Sequence, residues 1–292
     1  MFGAIIGDRI GTEYEYLEFL DAKNGIINVE RRKEILTKKE LITDKGTFSD
    51  DTVLTIAVLE AIIYNKPYME TLRKYGMEYV DKKVPKEDFF ESWFSPLFAT
   101  WIKNKEGTIG HSMGNGAAMR VSPVAFLYRS LAKVEEEAKK SAIPSHNTKE
   151  AIEATKCLAG SIYLARRYGD KERVKEYVKE YYGYNLDYNL DELREYNLFN
   201  SFAEYTVPQA ISIFLQSEGF EDAIRKAVSI GGDTDTIASM VGALAEAYYG
   251  VPNNLREQIL SLLPEEFKEL ILKAYQIINF FEGDVTWKTK LL

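Results

Sequence analysis

The chain has 292 residues, 46% of them hydrophobic and 28% charged, with a formal net charge of −8. This composition excludes a disordered chain and supplies enough apolar surface for a core that needs neither disulfides nor structural zinc. The acidic balance argues against nucleic-acid backbones and anionic membranes as main partners, while a small anionic ligand stays compatible because bound cations override net charge.

In chain order, the N-terminal segment GAIIGDRIGTEYE, from Gly3 to Glu15, sets small residues along one side, which suits tight helix packing. Asp8 is expected there as a buried, hydrogen-bonded carboxylate. With Arg9 it also interrupts the apolar run too early for a secretory leader. Residues 21–49 mix charges with Asn24-Gly25 and Lys45-Gly46 and read as a loop with one short helix. Next, Val53, Leu54, Ala57, Val58, Ala61 and Ile62 recur at three- and four-residue spacing, the mark of a helix. Similar runs cover Ala151–Arg167, Pro208–Gln216, Asp222–Val228, Thr236–Tyr249 and Leu255–Leu263. Asn147, Gly169, Gly219 and Gly250-Val251-Pro252 stand where these helices should start or stop. YNLDYNLDEL, from Tyr184 to Leu193, repeats a tetrapeptide and reads as a surface connection.

No alternating strand pattern, dividing linker or membrane-length apolar run (~20 residues) interrupts this organisation. Cys157 is the single cysteine, which points to a reducing, cytoplasmic location. The expected fold is all-α, one compact multi-helix domain over residues 1–292.

Two acidic clusters carry the chemistry, each at the start of an apolar helix: Ser49-Asp50-Asp51-Thr52 and Gly231-Gly232-Asp233-Thr234-Asp235-Thr236. Asp, Ser and Thr are favoured N-caps, so capping is the ordinary explanation for either cluster alone. One cap needs one such residue, however, and adjacent carboxylates repel. Together the clusters point to a metal site, with the glycine pair allowing a tight turn before the second. Two histidines and one cysteine are few ligands for zinc. Carboxylate and hydroxyl oxygens suit Mg²⁺ or Mn²⁺, and four carboxylates balance two such ions about 3.5–4 Å apart.

A glycine-rich loop from Gly107 to Arg120 offers open backbone N–H groups of the kind that cradle phosphates. Arg120 reads equally as an ion-pair partner or a ligand contact. Glu15 and Glu13 are rival candidates for a base near the packed N-terminal segment, and chemistry alone does not choose between them.

GAIIGDRIGTEYE, SDDT, GHSMGNGAAMR and GGDTDT, in this order, resemble the motif set of the ADP-ribosylglycohydrolases. VPQAISIFLQSEGFEDAIRKAV, ahead of GGDTDT, is similar too. The resemblance implies an all-α fold with a central cleft holding a dinuclear Mg²⁺ (or Mn²⁺) site. It implies Ser49, Asp50, Asp51, Asp233, Asp235 and Thr236 as metal ligands. Gly114, Asn115, Gly116 and His146 would line the ADP-ribose pocket. The GD-x-x-G-x-x-x-E pattern favours Glu15 over Glu13 as catalytic base. Other relatives place the base on an Asp near the glycine-rich loop, where this chain has only Ser112 and His111. The implied activity is metal-dependent hydrolysis of the glycosidic bond between ADP-ribose and an acceptor, with ADP-ribose binding without turnover and phosphohydrolysis as the rivals.

Overall fold

The structure, a computed structural model, describes residues 1–82, 94–105 and 107–282. Its first helices are α1 (Phe2–Lys23), α2 (Val29–Thr37), α3 (Asp50–Ile63), α4 (Tyr68–Tyr79) and α5 (Pro96–Lys103). A 3₁₀ turn at Asn115–Ala117 leads into α6 (Ser122–Leu127), α7 (Leu131–Ala142), α8 (Lys149–Tyr168) and α9 (Lys171–Tyr182). The rest comprises α10 (Leu190–Tyr196), α11 (Ala203–Leu215), α12 (Phe220–Ser229), α13 (Thr234–Tyr249), α14 (Asn253–Leu262) and α15 (Glu265–Glu282). Among the described residues there is no β-strand, only isolated bridges pairing His111 with His146 and Gly114 with Phe202. The fold is all-α, as expected.

The core is organised around helices with no polar face. Every residue from Asp51 to Ala61 of α3, and from Thr234 to Ala247 of α13, is buried. The N-terminal helix α1 lies antiparallel on α13. Gly3, Gly7 and Gly11 fall one turn apart on one face of α1. A Cβ at Gly3 would sit 2.0 Å from the Gly242 carbonyl oxygen, one at Gly7 2.0 Å from that of Ala238, and one at Gly11 2.3 Å from Cα of Asp235. Glycine at these positions lets the two backbones touch, and the small-residue stripe has its partner.

Several boundaries differ from the sequence reading. The cap of α8 is Thr148, not Asn147; its hydroxyl accepts from the Ala151 N–H at 3.3 Å. Helix α11 begins at Ala203, upstream of Pro208, so the proline lies inside the helix and withholds one backbone donor. Burial of Thr206 to Phe214 offsets that loss. The second half of YNLDYNLDEL opens α10, capped by Asn189, whose side chain accepts from the N–H groups of Asp191 and Glu192. The polar helices α7 and α9 escape a search for apolar runs because each buries a single stripe: Val134, Ala138 and Ala142 in one, Val174, Tyr177 and Val178 in the other.

Candidate metal centre

The start of α3 separates capping from ligation. Ser49 is the N-cap, and its Oγ accepts from the Asp51 N–H at 3.2 Å. The remaining cap comes from a different helix: Asp8 of α1, fully buried, accepts from the backbone N–H groups of Ser49 and Thr52 and from both their hydroxyls. The N–H groups of Ser49, Asp51 and Thr52 are thus capped without Asp50 or Asp51, and the Asp50 carboxylate takes only its own N–H, so capping does not account for the pair. The Asp51 Oδ2 accepts from the Thr236 hydroxyl at 3.1 Å, while its Oδ1 is buried with no hydrogen-bond partner among the described residues. Ser49 donates its hydroxyl proton to Asp8 and accepts one N–H, which leaves one oxygen lone pair for a cation.

The second cluster follows the same logic. Asp233 occupies the N-cap position of α13, yet its side chain makes no cap bond. Instead its Oδ2 accepts from the Asn115 amide at 2.8 Å. Gly231 and Gly232 both take positive φ, 70° and 78°, so the chain turns as the glycine pair requires. Glu15 completes the group. It lies four residues past Gly11, hence one turn further along the face that meets α13, where α13 has already ended. One carboxylate oxygen each from Glu15, Asp233 and Asp235 falls within 4.8 Å of the others. Glu13 points away, to Lys38 Nζ at 2.6 Å and the Thr43 hydroxyl at 2.7 Å.

The electrostatics of this arrangement favour a positive charge among the carboxylates. Burial, then Glu15, Asp8 and Asp233, pushes the half-buried Asp50 carboxyl well above the usual range. Burial and neighbouring carboxylates do the same to Asp51 and Asp235. Burial raises Asp233 against the Asn115 hydrogen bond, and lifts Asp8 to about 6 despite its four donors. Carboxylates so placed hold protons unless positive charge replaces them. The partnerless Asp51 Oδ1 and the oxygen-only donor set suit a hard divalent ion, so the cluster can hold a metal ion.

The glycine-rich loop corrects one expectation. The N–H groups of Gly110, Ser112, Gly114 and Asn115 are taken by Pro144 O, Ser145 O, Ser112 Oγ and Ser201 O. Stitched between two neighbouring segments, they are not open to a phosphate. The 3₁₀ turn at Asn115–Ala117 is itself largely buried, with only Gly116 partly open. His146 packs against that turn: a Cβ at Gly116 would lie 3.1 Å from its Cε1 and Nε2, and one at Gly114 3.9 Å from Nε2. Arg120 is fully buried and donates to Ser141 O and Ser145 Oγ, so it is held internally.

Sequence reasoning misses the clamp behind the second cluster. Arg32 of α2 pairs with Glu18 of α1 at 2.5 Å and donates to the carbonyls of Arg194 and Asn197 at 2.8 Å. A Cβ at Gly231 would lie 2.0 Å from Arg32 Nε, and the Gly232 N–H points to Glu18 Oε2 at 3.4 Å. Nothing in the polar run VERRKEILT distinguishes this arginine from its neighbour Arg31.

Fold and site define an all-helical class in which carboxylates of α1 and of the start of α13 meet within 4.8 Å, with Asp51 at the start of α3 joined to them through the Thr236 hydroxyl. A sequence model described as ADP-ribosylglycohydrolase matches residues 1–283, and the chain belongs to that family. Among curated proteins it is 25% identical to ADP-ribosylhydrolase ARH3 of Mus musculus, over 96% of this chain and 90% of that one. It is 24% identical to ADP-ribosylarginine hydrolase Tri1 of Pseudomonas putida, over 86% and 70%. A solved ADP-ribosylglycohydrolase-related protein complex shares the fold, with a TM-score of 0.66 at 23% identity over 94% of this chain and 95% of that one. No helix among the described residues is long and apolar enough to cross a membrane.

Proposed function

We propose that this protein hydrolyses the glycosidic bond between ADP-ribose and an acceptor, a protein side chain or a small molecule, and releases ADP-ribose. The observation that carries the reading is the meeting of Glu15 with Asp233 and Asp235 within 4.8 Å, beside an Asp51 oxygen that no group among the described residues satisfies. Ser49, Asp50, Asp51, Asp233, Asp235 and Thr236 would hold two divalent ions, Mg²⁺ with Mn²⁺ as substitute. Bound there, the ions supply Lewis-acid polarisation and a template for the ribose hydroxyls.

The chain's own residues do the rest. Glu15 stands at the open end of α13 and accepts a proton from the attacking water as the oxocarbenium-like transition state forms at the anomeric carbon. Asn115 fixes Asp233 through its amide and so ties the glycine-rich turn to the acidic cluster. Gly114, Gly116 and His146 form the wall that the ADP-ribosyl group lies against. The family names of the two curated relatives support the substrate class, and one of them is named for an arginine linkage.

A panel of ADP-ribosylated serine, arginine and small-molecule conjugates, assayed with Mg²⁺ and with EDTA, tests the reading. Release of intact ADP-ribose that EDTA abolishes is the expected result. Release of AMP would make the protein a phosphohydrolase, and binding without release would remove the hydrolase reading.

A further inference from the structure

Arg120 is the least expected residue in the interior. It is entirely buried, and its Nε and Nη1 hydrogens find no acceptor among the described residues. Unpaired buried donors are costly, so an arginine held this way calls for a reason other than packing. Its remaining nitrogen, Nη2, donates to the Ser145 Oγ at 2.8 Å and to the Ser141 carbonyl at 3.2 Å. The Ser145 Oγ in turn lies 2.7 Å from Nδ1 of His146.

Proton counting fixes the direction of this chain. A guanidinium cannot accept, so Ser145 Oγ must take the Arg120 hydrogen on a lone pair. The serine has one hydrogen of its own, and the His146 Nδ1 is its neighbour at bonding distance. If Nδ1 carried a proton instead, both it and the arginine would point at one oxygen, and the serine hydrogen would be left without that acceptor. The arrangement with every bond made has Nδ1 as acceptor and the imidazole hydrogen on Nε2. Burial and the Arg120 charge also hold the His146 pKa well below its ordinary value, so the ring is neutral.

The Nε2 edge faces the glycine-rich turn. It is the edge that a side chain at Gly116 would strike, and Asn115 of the same turn holds Asp233 of the acidic cluster. No hydrogen bond from Nε2 to another group occurs among the described residues. The geometry points to Arg120 and Ser145 as positioning residues that lock His146 in its Nε2–H tautomer, so that the imidazole presents a fixed donor to an acceptor oxygen of the ADP-ribosyl group. This rests on the proposed substrate, and the test separates the two.

The two histidines make the imidazole spectrum simple, and a His111→Gln variant assigns it. In ¹⁵N-labelled wild type without ligand, His146 should show a pyridine-type Nδ1 and a pyrrole-type Nε2. Ser145→Ala should give a mixture of tautomers and raise the Kd for ADP-ribose about five- to tenfold, the loss of one hydrogen bond. Ser145→Thr, which keeps the hydroxyl, should restore both. Arg120→Met should also mix the tautomers, because the serine is then free to accept from Nδ1. A proton on Nδ1 in wild type, or an unchanged tautomer in Ser145→Ala, overturns the relay. A mixed tautomer with unchanged ADP-ribose affinity overturns the donor role. Failure of wild type to bind ADP-ribose, with the Nε2–H tautomer intact, overturns the substrate reading and not the lock.

Discussion

Replacing Gly7 with alanine should damage the acidic cluster without touching any of its members. The added Cβ would stand 2.0 Å from the carbonyl oxygen of Ala238 and 2.3 Å from its carbonyl carbon. Both obstacles are backbone, so no rotamer change relieves them, and α1 must move about 1 Å off α13 to reach a tolerable contact. Two effects on stability oppose each other. Alanine improves helix propensity over glycine by about 1 kcal/mol. Overpacking costs about 1–3 kcal/mol, and backbone against backbone belongs at the upper end. The net is about 2 kcal/mol of destabilisation, a fall in Tm of roughly 3 °C for a chain of this size. The functional effect should be larger. Asp8 and Glu15 ride on α1 while Asp233 and Asp235 sit at the start of α13, so a 1 Å separation of the helices is a 1 Å misplacement within the cluster. Such a shift costs about a hundredfold in rate. Thermal unfolding and turnover of an ADP-ribosyl conjugate measure the two effects, with Gly219→Ala as control, since a Cβ there meets nothing within 4 Å and the backbone is extended. Wild-type Tm and turnover in Gly7→Ala would refute the idea that helix contact sets the spacing of the carboxylates.

Other expected outcomes follow from the same geometry. Asp51→Asn, which replaces the partnerless oxygen, should abolish most Mg²⁺ binding by calorimetry and nearly all turnover while the circular dichroism spectrum keeps its helical form; retained activity at limiting Mg²⁺ would count against the site. Glu15→Gln should lower kcat by about 10²–10⁴-fold with little change in ADP-ribose affinity, the usual loss of a general base. Glu13→Gln should leave kcat near wild type and lower only stability, because Glu13 serves Lys38 and Thr43. The pH dependence has a definite sign. Burial raises Asp50, Asp51 and Asp235 well above the ordinary 3.8, and Asp8 to about 6, so each binds its proton more tightly in the folded state. Their stabilisation is full below pH ~3.8 and lost as pH rises through 6 and beyond. In EDTA the melting temperature should therefore be lower at pH 8 than at pH 5. Saturating Mg²⁺ should restore it at pH 8, by about 2.7 kcal/mol at a hundredfold excess over Kd. The reverse pH order, or an equal Mg²⁺ shift in Asp50→Ala/Asp235→Ala, would place the ions elsewhere.

Local periodicity made much of this protein legible in its sequence. The apolar runs of α3 and α13, the glycine stops and the Gly3-Gly7-Gly11 stripe all report interactions within a few residues, which spacing encodes directly. The residues alone left Glu13 and Glu15 open as bases; only Glu15 continues the four-residue step of the stripe, and it is Glu15 that lies beside Asp233 and Asp235. Other features depend on groups brought together from distant parts of the chain, and no spacing encodes those. Asp50 and Asp51 look like helix caps until Asp8, on another helix, is found to do the capping. The glycine-rich loop suggests free N–H groups until Pro144, Ser145 and Ser201 are seen to take them. Arg32 is an unremarkable letter and Arg120 reads as an ion-pair partner or ligand contact until the carbonyls and hydroxyls packed around them make one a clamp and the other a tautomer lock. The sequence by itself determined the most apolar helices and the acidic, oxygen-rich composition of the two clusters. Tertiary structure alone decided which carboxylates meet and which are left unsatisfied, because a buried charge is defined by neighbours that the folded chain supplies.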